Sequence, residues 1–438
     1  MSEPSTSSPS TVLRPAMVLR PAYKTITQCR LCGATELIPL FSLGEQYVSD
    51  FLKKPTAETP DLLQVPIELV LCTKCTLAQQ LHTAPPELLY RKNYWYRSSV
   101  TATMRAALAD VAASATRVAG LSPGDVVLDL GSNDGTLLRS YQVEDLVTVG
   151  VEPADNFKVS GAAGIFTFLP EFWGADEALK AYYRKVRKQA KVITACGMLY
   201  DLNNPNSFVA QVVEVLAPDG IFIAQLMCAR QMLEAGDVGN LAHEHLEFYT
   251  LKSLEKLFNA HGLDLFDVEK NDVNGGSYRL YSRFLGQHVW HTDAKKRLLA
   301  ARDEEEEMGL SSAKPYQRFY DLATLNAVRC VDFIHNEVDA GSRIFVYGAS
   351  TKGNVLLQWY GLDSDLIEGA ADRSPEKWGR YTVGTDIRIV SEEYARLRNP
   401  AYFLCLPYSF LPEFLAREAK WREGGGKFIV PLPSFKVV

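Results

Sequence analysis

The chain has 438 residues, 47% of them hydrophobic and 22% charged, with a net charge of −6. That length predicts two or three domains with sizeable cores, and the acidic balance argues against nucleic acid or an anionic membrane surface as partner. No apolar run approaches the ~20 residues of a membrane span, and the Ser-, Thr- and Pro-rich stretch 1–22 lacks a signal-peptide core, so the expectation is a disordered tail on a cytoplasmic multidomain protein.

The first block, 23–95, carries two C-x-x-C knuckles, Cys29 with Cys32 and Cys72 with Cys75, out of eight cysteines. A disulfide framework is not expected in a long chain without a secretion signal. Four thiolates from two knuckles predict a closed, structural zinc tetrahedron. Reduced buried cysteines, or one redox pair, remain as alternatives. Tyr94-Trp95-Tyr96-Arg97-Ser98 sits where this block meets the next; it reads as a domain seam, with Tyr96 able to line a cleft.

The second block, 96–290, alternates strand-like and helix-like patterns, which predicts an α/β unit with a mostly parallel sheet. Val126 to Leu130 reads as a buried strand, followed by Gly131-Ser132-Asn133-Asp134-Gly135 and a helix opening at Thr136. A strand, Gly-rich turn and helix let a nucleotide approach the backbone at a strand's carboxyl end. The glycines are not spaced G-x-G-x-x-G. The next strand, Val147 to Val151, ends at Glu152, whose carboxylate can accept both hydroxyls of a ribose. A ribose without a pyrophosphate loop points to S-adenosylmethionine, ahead of a nicotinamide enzyme or a fold that binds nothing. The candidate cofactor residues are Asp129, Gly131, Ser132, Asn133, Asp134, Gly135, Glu152, Phe168 and Cys196. Lys191–Ala195 reads as a further strand, Asn206–Leu216 as a helix, 216–220 as a turn, and Ile221–Ala224 as a strand.

His243-Glu244-His245 is the densest ionisable group in the chain. It is not H-E-x-x-H, which removes the zinc-protease reading. The spacing predicts both histidines on one side of an extended segment. A neutral imidazole can take a proton at cellular pH, and Glu244 can orient it or hold substrate. A structural histidine pair and a metal site stay open as alternatives. Asn274-Gly275-Gly276-Ser277 precedes a strand, Tyr278 to Phe284. Its glycines suit either close approach to a ligand or a hairpin turn.

The last block, 291–438, opens with a helical linker whose acidic run, 303–307, reads as a solvated helix face. Gly348-Ala349-Ser350-Thr351-Lys352-Gly353-Asn354 then sits between a strand and a helix. Asn354 stands where an ATPase loop needs Lys. A helix N-terminus with Ser350, Lys352 and Asn354 would still hold a diphosphate, with Arg373 after the next strand nearby. A tight structural crossover is the alternative.

Taken in order, these motifs, with Leu43-Gly44-Glu45 and Gly425-Gly426-Lys427-Phe428, resemble the zinc-containing sugar C-methyltransferases from about Cys29 to Pro433. The resemblance implies a class I methyltransferase domain of Rossmann-like fold, flanked by an N-terminal zinc-binding domain and a C-terminal Rossmann-like domain. It implies S-adenosylmethionine and structural zinc as cofactors and a nucleotide-linked keto-sugar as substrate, held between the two large domains. By position, His245 is the base, with Glu244 beside the sugar and Tyr96 in the cleft. The family pattern has Tyr before H-E-H, where this chain has Ala242. It has His after the fourth strand, where this chain reads Met198-Leu199-Tyr200-Asp201. That leaves Tyr200 and Asp201 as candidate replacements, and Tyr96, Tyr200 or His243 as donors to an enolate oxygen. Methylation of oxygen or nitrogen, or a scaffold without turnover, are the competing readings. The oligomeric state is not specified by these features.

Overall fold

A computed structural model describes residues 23–91, 94–287 and 292–438. The tail expected over 1–22 lies outside them. In the first lobe β1 (Leu37–Tyr47) pairs antiparallel with β2 (Gln64–Cys72), which pairs antiparallel with β3 (Ala78–Gln80). A two-residue strand from far along the chain, Glu247–Phe248, adds to β3 and completes this four-stranded sheet. The first block therefore does not close on itself.

The second lobe contains α1 (Ala102–Ala119), β4 (Val126–Leu130), β5 (Val147–Val151), β6 (Thr167–Leu169), α2 (Asp176–Lys185), β7 (Ala190–Cys196), α3 (Pro205–Val215), β8 (Leu216–Leu226), α4 (Ala229–Ala235), β9 (the Glu247–Phe248 strand), α5 (Leu251–Ala260), β10 (Leu263–Asn271) and β11 (Ser277–Phe284). Its seven-stranded sheet runs β10-β11-β8-β7-β4-β5-β6. The strands from β8 to β6 are parallel, and β11 lies antiparallel between β8 and β10. All five residues of β4 are buried, as expected for a strand covered by helices on both faces. Two expectations are corrected. After the Gly-rich turn only a single 3₁₀ turn forms, Leu138–Ser140. Residues 216–220 belong to β8, whose first residue pairs with Ala190 before a register shift.

In the third lobe α6 (Thr292–Met308) and α7 (Lys314–Asp339) lead into β12 (Ile344–Tyr347), α8 (Thr351–Tyr360), β13 (Gly369–Asp372), β14 (Ile389–Ser391), β15 (Tyr402–Cys405), β16 (Lys427–Val430) and β17 (Lys436–Val437). The sheet order is β14-β13-β12-β15-β16-β17, parallel except for the last strand. The acidic run is not simply solvated. Glu305 is buried and accepts from Leu251 N at 2.8 Å, at the start of α5, and from the Tyr278 hydroxyl at 3.3 Å. Glu304 pairs with Lys270 at 2.7 Å and Arg230 at 3.1 Å.

First and third lobes are stapled together. Tyr47 N donates to Gln358 Oε1 at 2.8 Å, and Gln358 Nε2 returns to Tyr47 O at 3.1 Å. Phe51–Leu52 pairs with Tyr381–Thr382. One apolar core runs from Ile67 and Leu69 through Leu356 and Tyr316. No helix among the described residues is long and apolar enough to cross a membrane.

Candidate active site

The carboxyl ends of β4, β5, β7 and β8 face one cavity of about 560 Å³, closed by Pro86, Glu87, Tyr90, Tyr94, Tyr96 and Ser98 and by the start of α8. That volume falls in the ordinary range for a small-molecule site. Gly131, Asn133, Glu152, Cys196, Tyr96, Tyr200, Asp201, Glu244, His245 and Lys352 all line it.

The Gly-rich turn is built for close approach. Gly131 has φ +73°, and a Cβ there would come within 3.0 Å of the Met198 side chain. Asn133 also adopts a left-handed φ of +51°, a region in which Asn is tolerated. Its backbone N–H donates to Glu152 Oε2 at 2.9 Å, and Ala154 N donates to Oε1 at 2.9 Å. Each carboxylate oxygen retains a lone pair, so Glu152 is aimed while still able to accept hydroxyls. Asn133 also ties the 94–98 segment down: Ser98 N donates to its Oδ1, and its Nδ2 donates to Tyr96 O, each at 3.1 Å.

The other proposed cofactor residues lie behind this surface. Asp129 is buried in the sheet and accepts from Thr194 Oγ1 at 2.6 Å; burial lifts its carboxyl to about 7. Ser132 turns toward Gly150. Asp134 accepts from Thr136 and from Ser99 N. Gly135 packs against Arg139, and Phe168 packs against Gly161. None of these five lines the cavity.

The segment 242–245 is a turn, closed by His245 N donating to Ala242 O at 3.0 Å. The two histidines therefore diverge instead of sharing a side. His243 is 2% exposed, and its Nε2 donates to Val65 O at 2.9 Å in the first lobe. His245 lies in the cavity with Nδ1 at 2.8 Å from Asn240 O and its ring edge-on to Tyr200 at 4.7 Å. A carbonyl partner requires Nδ1 to carry the proton, so the Nε2 lone pair is free. Burial, with Lys352 nearby, holds the His245 imidazole down to about 3. The acids move the other way: burial lifts Glu244 to about 7, and burial with Glu244 beside it raises Asp201 well above the carboxylate range.

Among the described side chains of the proposed substrate residues, Lys352 alone lies in this cavity. Its ammonium donates to Asn240 Oδ1. Ser350 caps α8 by accepting from Gly353 N at 3.0 Å. Asn354 donates to Asp50 O at 2.9 Å, and Arg373 is exposed outside the lining. Gly276, with φ +125°, faces Gln231, where a Cβ would meet the side chain at 2.9 Å. The Gly275-Gly276 pair thus serves the β10–β11 hairpin. The side chain of Asn274 lies outside the described residues.

The four knuckle sulfurs lie within 4.8 Å of one another, with Cys29–Cys75 and Cys32–Cys72 both at 3.5 Å. Zinc–thiolate bonds of ~2.3 Å imply sulfurs ~3.8 Å apart, so the donor set fits zinc. Gln79 Nε2 donates to Cys29 Sγ at 3.2 Å, the hydrogen bond expected to a thiolate ligand.

Three family models match in succession: a zinc binding domain at 29–90, a methyltransferase domain at 96–268, and a C-methyltransferase C-terminal domain at 272–433. In this order the three matches support a zinc-containing C-methyltransferase family. The chain is 28% identical over 416 residues to C-methyltransferase NovU of Streptomyces niveus, covering 95% of this chain and 97% of that one. Among solved structures, the CcbJ methyltransferase of Streptomyces caelestis matches with TM-score 0.31 at 18% identity, over 40% of this chain and 89% of that one. Magnesium protoporphyrin IX methyltransferase of Synechocystis PCC 6803, with bound SAM, matches with TM-score 0.31 at 11% identity, over 41% and 78%. This C-methyltransferase has the class I fold and depends on S-adenosylmethionine.

Several residues of the C-methyltransferase site carry no motif. Tyr90, Trp173 and Met227 line the cavity. Asn240 holds both His245 and Lys352. Gln80 Nε2 donates to the carbonyls of Ala242 at 2.6 Å and His245 at 2.9 Å. The one available signal was position: Gln79 and Gln80 lie four and five residues after Cys75, the last cysteine of the second knuckle.

Proposed function

We infer that this C-methyltransferase transfers a methyl group to the carbon beside the ketone of a nucleotide-linked keto-sugar, with His245 as the base. The observation that carries this is the single cavity shared by the Gly131 turn, Glu152 and the free Nε2 of His245. S-adenosylmethionine, when bound, supplies an electrophilic methyl on its sulfonium. Gly131, Asn133 and Glu152 would hold it, Glu152 through the ribose. A C–H beside a carbonyl is a weak acid, so a base must act while the forming enolate is stabilised. Asn240 fixes the His245 tautomer, so the lone pair faces the cavity. Asp201, Glu244 and Tyr200 surround the same space and would orient sugar hydroxyls. Walls from both large lobes suit a substrate as long as a nucleotide-sugar.

His245→Ala should abolish methyl transfer while S-adenosylmethionine binding, measured calorimetrically, is retained. Full activity in that variant removes the base assignment. NMR of the product should show a new C–CH3 signal; an O–CH3 or N–CH3 signal would overturn the reading.

A further inference from the structure

We propose that Lys352, delivered by the third lobe, donates a hydrogen bond to the substrate's keto oxygen and stabilises the enolate formed when His245 takes the proton. This rests on the keto-substrate reading above. A diphosphate contact suits Lys352 less well, because Asp201, Asp237 and Glu244 all act on its charge.

The geometry is set by Asn240. Its main-chain carbonyl holds His245 Nδ1 at 2.8 Å, and its side-chain oxygen accepts from the Lys352 ammonium. Base and ammonium are thus fixed to one residue and line one cavity. An ammonium has three donors. One is used on Asn240, and the other contact is a weak one of 3.6 Å to Met227 Sδ. Among the described residues no carboxylate makes an ion pair with Lys352. Asp201 Oδ1 and Glu244 Oε2 are buried without hydrogen-bond partners. A donor is therefore left for a ligand, on an ammonium that burial pulls below its ordinary range against the opposing pull of Asp237, Glu244 and Asp201.

The chemistry asks for such a donor. An imidazole held down to about 3 is a weak base. It removes a proton from carbon only if the negative charge is offset as it forms, and a preorganised donor does this best away from bulk water. The C–H electron pair becomes the enolate, with its charge on the oxygen facing Lys352. The proton goes to His245 Nε2. The enolate carbon bonds to the sulfonium methyl, the S–CH3 bond breaks with its pair left on sulfur, and His245 returns its proton to solvent.

The test uses the full-length zinc-loaded enzyme and a panel of nucleoside-diphosphate keto-6-deoxyhexoses. With S-adenosylhomocysteine in D2O, mass spectrometry reads C–H to C–D exchange without methyl transfer. Wild type should exchange and His245→Ala should not. Lys352→Met should slow exchange and kcat together by about 100-fold with KM changed by less than about threefold. Ethylammonium should restore part of the rate to Lys352→Ala. Exchange in Lys352→Met within about threefold of wild type, or a raised KM at unchanged kcat, overturns the role of Lys352 and leaves the base assignment standing. Absence of rescue in a folded Lys352→Ala that exchanges normally has the same meaning. Exchange by His245→Ala at the wild-type rate, or methylation of no member of the panel, removes the parent reading instead.

Discussion

Burial lifts the Glu244 carboxyl to about 7, against an ordinary value near 4.5. Between those values the folded protein holds a proton that the unfolded chain has released. Stability therefore falls as pH rises from about 4.5 to about 7 and is level above it. For one carboxyl the loss is about 3 kcal/mol. Glu244→Gln should remove this contribution, so the stability lost between pH 5 and pH 8 in urea denaturation should be smaller than in wild type. An equal loss in both proteins would show that the carboxylate is relieved by another group. At this scale the sequence was legible where the signal is local. The knuckle cysteines and Gly131, Asn133 and Glu152 sit where their spacing puts them. Asp129, Asp134 and Phe168 share the same stretch, yet face the sheet or the turn itself, because strand alternation and backbone donors decide which way each points. His243 was misread because its partner, Val65 O, lies 178 residues away.

The strand β3 links the knuckles to the base. Its Gln79 reaches Cys29, while Gln80 clamps the carbonyls on either side of the 242–245 turn. Arg30, inside the first knuckle, adds hydrogen bonds to Gln80 O and Thr83 Oγ1, both at 2.5 Å. Gln80→Leu should leave the His245 carbonyl without a donor, at about 1–3 kcal/mol, and Ala242 O with His245 N alone. A displaced His245 should cut kcat by an order of 100-fold while cofactor affinity is kept. Steady-state kinetics beside calorimetric binding checks this, and an unchanged kcat would detach the zinc lobe from catalysis. Cys75→Ala should lose bound zinc and lower the melting temperature, because a structural zinc site contributes folding energy directly. Elements were legible wherever an apolar run was bounded by turn residues, as in β4, β5 and β7. The helix expected at Thr136 was not, because Asp134 accepts from both Thr136 N and its hydroxyl and fixes a turn instead.

The three lobes act as one body. The first and third share an apolar core, and the reciprocal Tyr47–Gln358 hydrogen bonds fix their approach. Scanning calorimetry of the zinc-loaded protein should show one transition, and two resolved transitions would show that the lobes melt independently. The alternation of strands and helices announced the sheet of the second lobe, and the resemblance implied that of the third. What the alternation could not announce was that β9 leaves the middle of the chain to finish the sheet of the first lobe. That excursion bears on how such enzymes can be recombined. A chimera joined near residue 95 would inherit β3 from one parent and its edge partner from the other, and the mismatch would fall on the turn that carries the imidazole. Exchange of the metal lobe between relatives has to carry residues 240–250 with it, so the inheritable module is discontinuous.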